Sequence, residues 1–119
     1  MRNGLTMSAA DGAALVGSVE WTESFPERSR GLLGRDRLAP GSGLVIAPCS
    51  SVHTWFMRFT LDLLFFSRDF RVVKRVLNVK PWRMAYGGSS AWGVLEMESG
   101  WFPWDRVKLG DRLVFDLKE

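Results

Sequence analysis

The sequence predicts a mainly β fold, a compact and mostly antiparallel sandwich or barrel with one short α-helix near residues 25–34. Three observations predict it. From Leu44 to the end, short apolar or alternating segments are separated by Gly-, Pro- and Ser-bearing turns. Helix start and stop signals converge in one place only, between Ser24 and Gly34. The chain has 119 residues, 46% hydrophobic and 24% charged, which suits a single globular core rather than a fibre, a tail or a membrane bundle.

Taken in order, residues 1–14 read as a polar, Gly- and Ala-bearing flexible arm, and residues 15–119 as one β-rich domain. From Leu15 to Thr22 the residues Leu15, Gly17, Val19 and Trp21 alternate with Val16, Ser18, Glu20 and Thr22, the period of a strand. In the next segment Ser24 can cap a helix, Pro26 and Glu27 suit its first turn, and Gly34 suits its stop. Past the turn cluster at residues 39–43, Leu44 to Ala47 is a short apolar strand. Val52 to Phe59 and Leu61 to Ser67 read as strands, and Arg68-Asp69-Phe70 as the hairpin into Arg71–Val79. Pro81 ends that strand, and residues 86–90 read as a loop. Trp92 to Glu98 is the next strand, broken by Gly100, and Leu109-Gly110-Asp111 turns into the last, Arg112 to Leu117.

Composition narrows the function classes. A single Cys excludes an internal disulfide and a cysteine zinc cluster. No apolar run approaches the ~18–20 residues that span a bilayer, and Asp11 with its Gly and Ser neighbours interrupts what a secretory leader would need. The expected location is therefore cytoplasmic, without a membrane partner. The net charge of +3 comes from Lys and Arg spread along the whole chain rather than clustered, which argues against nucleic acid.

The stretch Cys49–Phe66, CSSVHTWFMRFTLDLLFF, carries the chain's one cysteine and one histidine, with Arg58 and Asp62 set among large apolar side chains. Charged groups in such a segment are costly to bury unless paired. On a straight strand Arg58 and Asp62 would share a face roughly 13 Å apart at 3.3 Å per residue, too far to pair directly. Either the strand bends near Thr60, or each meets a partner from elsewhere: Glu96 for Arg58, and Arg28, Arg30 or Arg35 for Asp62. Arginine suits this because its planar fork grips carboxylates with two hydrogen bonds. The network is then either a structural clamp between helix and sheet or the rim of a ligand groove.

Cys49 and His53 are four residues apart, beyond reach of each other in a strand unless Ser50 and Ser51 turn the chain. A small buried thiol and a hydrogen-bonded core histidine compete with a nucleophile–base pair. One Cys, one His and scattered carboxylates match no metal-ligand spacing. Gly41-Ser42-Gly43 lacks the lysine and helix of a phosphate loop. Arg68, Arg71, Lys74 and Arg75, followed by Lys80, Trp82 and Arg83, could hold a single strand of nucleic acid, but alternation splits these charges between faces.

Three blocks occur in order: Glu27–Arg35, Cys49–Phe66, and Val94–Gly100 followed by Leu109-Gly110-Asp111. Over about residues 19–117 they resemble the domain-of-unknown-function 192 family. Its pattern is an R-x-R-G-L-x-x-R block, a T-F-W-(M/G)-M-R-F-x-x-D-x-x-F block and an L-E-x-x-x-G block. The resemblance implies a compact β-rich domain found across bacteria and archaea, with no established activity. Two departures stand out. Thr60 replaces a proline, and Trp101-Phe102-Pro103-Trp104 replaces small residues, as a core plug or an exposed patch, with the plug favoured.

The resulting expectation is a binding or accessory module with a polar groove for an anionic or carboxylate-bearing ligand or peptide. Arg28, Arg30, Arg35, His53, Arg58, Asp62 and Glu96 would form the groove, with no cofactor and no metal. The alternatives are a cysteine-nucleophile enzyme using Cys49 and His53, and a weak binder of single-stranded nucleic acid.

Overall fold

The computed structural model describes residues 1–118. Leu61–Phe66 is apolar at every position but Asp62, and every residue of it is buried. A strand with no polar face must be covered on both sides, and this one, the fifth in chain order, sits deep in a seven-stranded sheet. The strands are β1 (Arg2–Ala9), β2 (Ala14–Trp21), β3 (Ser42–Ile46), β4 (Ser51–His53), β5 (Leu61–Phe66), β6 (Val72–Val79), β7 (Met84–Tyr86), β8 (Gly93–Glu98) and β9 (Leu113–Leu117). The large sheet runs β6-β5-β8-β3-β2-β1-β9, and β4 and β7 pair separately. All pairings are antiparallel except β2 with β3. A bridge between Arg71 and Arg112, with Val72 N–H donating to Asp111 O at 2.9 Å, joins the two outer strands, so the sheet curls toward a barrel.

The mainly β fold with one short α-helix is as the sequence predicts, with four differences. Residues 2–9, expected as an arm, form β1 between β2 and β9. Met7 is fully buried there, and alternation through Leu5 and Met7 supplies the inward face. The helix α1 (Phe25–Arg30) is one turn shorter than expected, because Gly31 rather than Gly34 ends it. Ser24 caps its start, its Oγ accepting from Glu27 N–H at 3.3 Å. The expected strand Val52–Phe59 stops at His53, where Thr54 turns the chain. Finally, Tyr86, expected to open the loop 86–90, instead ends a strand, β7, that the sequence does not announce.

Alternation sorts the core into two layers. Val45, Leu64, Phe66, Leu95 and Met97 fill the inside of the curl with Met7, Val16, Val19 and Phe102. Leu44, Ile46, Leu63, Phe65 and Val94 face the other way. They are covered by Leu32 and Leu38 after α1, by Val52 and Ala85 from the β4–β7 ribbon, and by Met57. Two glycines make room for the phenylalanines: a Cβ at Gly87 would lie 2.4 Å from the Phe65 ring and one at Gly93 2.6 Å from the Phe66 ring. Trp101-Phe102-Pro103-Trp104 is a plug, with Phe102 buried and Trp101 and Trp104 packed against the inner layer.

Candidate functional site

The expected polar network divides into three parts, and the sheet register explains why. In the β5–β8 pairing Asp62 lies opposite Met97 while Leu63 lies opposite Glu96. A one-residue offset puts side chains on opposite faces. Asp62 therefore points toward the inner layer and Glu96 toward the layer under α1 and β4.

Asp62 is 3% exposed and is satisfied by neutral donors. Its Oδ1 accepts from Asn78 N–H at 2.9 Å and Ser99 Oγ at 2.8 Å, and its Oδ2 from Trp104 Nε1 at 2.9 Å. None of Arg28, Arg30 or Arg35 reaches it. Asp62 is the pin that ties β5, β6, the end of β8 and the 3-10 turn Trp104–Arg106 together, and no room for a ligand remains around its carboxylate.

Arg58 is not sheltered. It sits after the turn, more than half exposed, and pairs with the exposed Asp36 rather than with Glu96. An exposed pair of this kind contributes little to stability. Arg35 forks onto Glu20, with nitrogens at 3.1 and 3.2 Å from the two carboxylate oxygens.

Glu96 is the unusual group. It is 3% exposed, flanked across the sheet by Leu44 and Leu63, and makes no hydrogen bond among the described residues. Burial raises its pKa from 4.5 to about 7, the Arg35 charge opposing that rise. The buried side-chain polar atom left without a partner among the described residues is Trp101 Nε1. The unbonded Glu96 carboxyl meets solvent through a cleft, and a largely buried carboxyl with a raised pKa is the kind of group that marks a functional site. Glu96 lies at the floor of this cleft, which holds about 80 Å³ between the end of α1 and strand β4. The walls include Arg28, Arg30, Gly31, Cys49, Ser51 and His53. Gly31 has φ 51°, and a Cβ there would stand 3.6 Å from Glu96 Oε1, so the chain reversal passes directly over the carboxyl. The structure thus lines the cleft with four of the seven expected groove residues, Arg28, Arg30, His53 and Glu96, turns Arg35 onto Glu20 with its charge still acting on Glu96, and leaves Arg58 and Asp62 elsewhere.

Cys49 also lines the cleft, half-buried. Its Sγ donates to Ser51 O at 3.0 Å. Burial pushes its thiol pKa up, and the nearby Glu96 adds to the rise. A nucleophilic cysteine needs the opposite, a thiolate favoured by cationic surroundings. His53 is exposed and packs its ring on Trp55 at 5.0 Å, with no hydrogen bond to Cys49. Cys49 should accordingly react with a thiol-disulfide reagent at pH 7 at least about tenfold more slowly in the folded than in the urea-unfolded protein. A folded-state rate faster than the unfolded one would restore the nucleophile reading.

The hairpin bases are occupied by the fold. Arg71 binds Asp69 and Gly110 O, Lys74 binds Tyr86 O at 2.7 Å, Arg75 binds Val107 O at 2.8 Å, and Arg68 lies over the Trp92 ring. They form no open basic stripe. Among the described residues no group of three or more His, Cys, Asp or Glu could hold a metal ion, and no helix is long and apolar enough to cross a membrane.

A neighbouring feature escaped the sequence reading. Thr54 is fully buried, its Oγ donating to Lys80 O at 2.6 Å and accepting from Arg83 N–H at 2.9 Å. Its carbonyl accepts from both Met57 N–H and Trp82 N–H. This knot holds Phe56 and Trp82 in left-handed backbone conformations, φ 64° and 67°, with their exposed rings 4.7 Å apart.

The model of the family described as an uncharacterised ACR, domain of unknown function 192, matches residues 6–115. The chain belongs to this family. The DUF192 match spans all the strands that frame the cleft. A UPF0127 protein of Pyrococcus horikoshii is 31% identical over 103 residues, covering 82% of this chain and 86% of that protein. Two crystal structures share the DUF192 chain's fold at 22% identity. A protein of unknown function from Novosphingobium aromaticivorans aligns with a TM-score of 0.75, over 92% of this chain and 82% of its own. A Sinorhizobium meliloti protein described as a candidate transcription regulator aligns at 0.79, over 95% and 92%. At that identity these two speak for the fold alone.

Proposed function

We propose that the protein is a binding module whose cleft between α1 and β4 takes an anionic, carboxylate-bearing group. The supporting observation is Glu96, a largely buried carboxyl at the floor of the cleft, with Arg28 and Arg30 among the residues that line its walls. Arg28 makes no ion pair among the described residues, and Arg30 has only a long 3.5 Å bond to Leu33 O. Below its pKa of about 7 Glu96 carries a proton. A protonated carboxyl donates one hydrogen bond, so it complements a ligand carboxylate that Arg28 or Arg30 holds from the other side. A cleft of about 80 Å³, open to solvent on one side, admits a carboxylate or the end of an extended chain and excludes a whole cofactor.

Succinate is a suitable probe. Titrated at pH 6 into isotope-labelled protein, it should shift the amide signals of residues 28–33 and 51–53 and leave β9 unmoved. Arg28→Gln combined with Arg30→Gln should abolish the shifts. A titration without localised shifts, or one unchanged in the double variant, would contradict this reading.

A further inference from the structure

The β4–β7 ribbon leaves one edge open toward the cleft. In its register Ser51 faces Tyr86, Val52 faces Ala85 and His53 faces Met84. Gly87 N–H donates to Ser50 O at 2.7 Å and Thr54 N–H to Arg83 O at 2.8 Å. In an antiparallel ladder the residues whose peptide groups face the partner alternate, so 50, 52 and 54 bond toward β7. The peptide groups of Ser51 and His53 point the other way, into the cleft. Their N–H groups donate no hydrogen bond among the described residues, and of their carbonyls only Ser51 O has a partner, the Cys49 thiol. An open edge of this kind is a template for another strand.

The outward face of the ribbon, with the turn that follows β4, is apolar and is held at a cost to the fold. Trp55, Phe56, Trp82, Met84 and Tyr86 are all between 45% and 71% exposed. Glycine would sit at the positions of Phe56 and Trp82 without backbone strain. Aromatic residues there give up stability for exposed ring surface, as happens at sites that serve recognition. No Asp or Glu occurs in residues 49–58 or 80–88, whereas Lys80 and Arg83 do, with Arg58 answered by Asp36, so the surface carries cationic as well as aromatic side chains.

From these features we infer that β4 accepts an extended peptide as an additional strand, with the peptide's C-terminal carboxylate entering the cleft at Arg28 and Arg30. The inference rests on the anion-binding reading of the cleft and names its partner class. Main-chain hydrogen bonds from Ser51 and His53 fix the strand, and alternate side chains of the peptide lie against His53 and the neighbouring rings. The three-residue length of β4 allows few such bonds, so the carboxylate is the anchor.

A library of random heptapeptides with free C-terminal carboxyl groups, selected on the intact protein, tests this. Each selected peptide is compared as free acid, as C-terminal amide, and in two forms N-methylated at alternating residues. Amidation should weaken binding at least tenfold, and so should one of the two N-methylation registers. The free acid should slow amide exchange at Ser51 and His53. The variant His53→Pro, which removes an outward N–H without touching the ladder to β7, should bind at least tenfold more weakly; if it fails to fold, the N-methylated peptides on the unaltered protein decide. The inference is overturned if no peptide is selected, if neither N-methylation register weakens binding, or if the Ser51 and His53 amides exchange as before. Succinate shifts at Arg28 and Arg30 that persist in that case leave the anion site standing. Their absence removes both.

Discussion

Replacing Asp62 with leucine is expected to destabilise the protein by about 3–5 kcal/mol, because it strips a buried acceptor from three donors at once. Asn78 N–H, Ser99 Oγ and Trp104 Nε1 would all lose the carboxylate they share beneath the plug. Leucine is similar enough in size to fill the space, so the loss measures polar satisfaction rather than a cavity. Asp62→Asn separates the two oxygens. Its carbonyl can replace Oδ1 toward Asn78 and Ser99, but its amide then meets the Trp104 N–H donor to donor, a loss of about 1–3 kcal/mol. Adding Trp104→Phe to Asp62→Asn should restore part of that loss, a non-additivity that urea unfolding followed by tryptophan fluorescence would read directly. An Asp62→Leu variant within about 1 kcal/mol of the parent would mean that Asp62 is solvated and is no pin.

Glu96→Gln is expected to stabilise the protein above neutral pH and to do almost nothing at pH 4. The folded pKa is about 7 against 4.5 for the ordinary side chain, so between those values the folded state binds a proton that the unfolded state lacks. Stability from this group therefore falls as pH rises through that window and is flat above it. The drop is about 3 kcal/mol over 2.5 pH units at 1.36 kcal/mol per unit. Glutamine carries no charge and removes the slope. The difference between parent and variant should grow from near zero at pH 4 to about 3 kcal/mol at pH 8. Asp69, Glu27 and Glu98, whose carboxyl pKa values are lowered, push stability the other way on acidification. They are common to both proteins and cancel in the difference. Parallel pH profiles would show that Glu96 is not buried as a charge.

Much of the fold is legible in the chain because strands announce themselves by period. β2, β3, β5, β6, β8 and β9 fall where alternation and turn residues put them, and Ser24 marks α1. β1 was missed because Gly4 and the polar residues around Leu5 and Met7 mask its alternation, and its place is won by pairing with β2 and β9. The site was legible in part. Glu96 and the arginines of α1 are visible as charges beside apolar runs. Which face each takes depends on the β5–β8 register, and that sends Asp62 and Glu96 apart. Arg58 takes another place than expected because the apolar run reads as one strand through Thr54, whose side chain instead turns the chain and carries Arg58 to the surface. The left-handed Phe56 and Trp82 have no signature in sequence, since glycine is the residue that normally marks such positions.

Glu96 is the residue on which the chemistry of the cleft turns, and a carbon-detected NMR titration of the glutamate carboxyls measures its state. One carboxyl should titrate with a midpoint near 7 and vanish from the spectrum of Glu96→Gln. If every glutamate instead titrates in the ordinary carboxylic acid range, Glu96 is open to water and the cleft holds no protonated floor for a ligand.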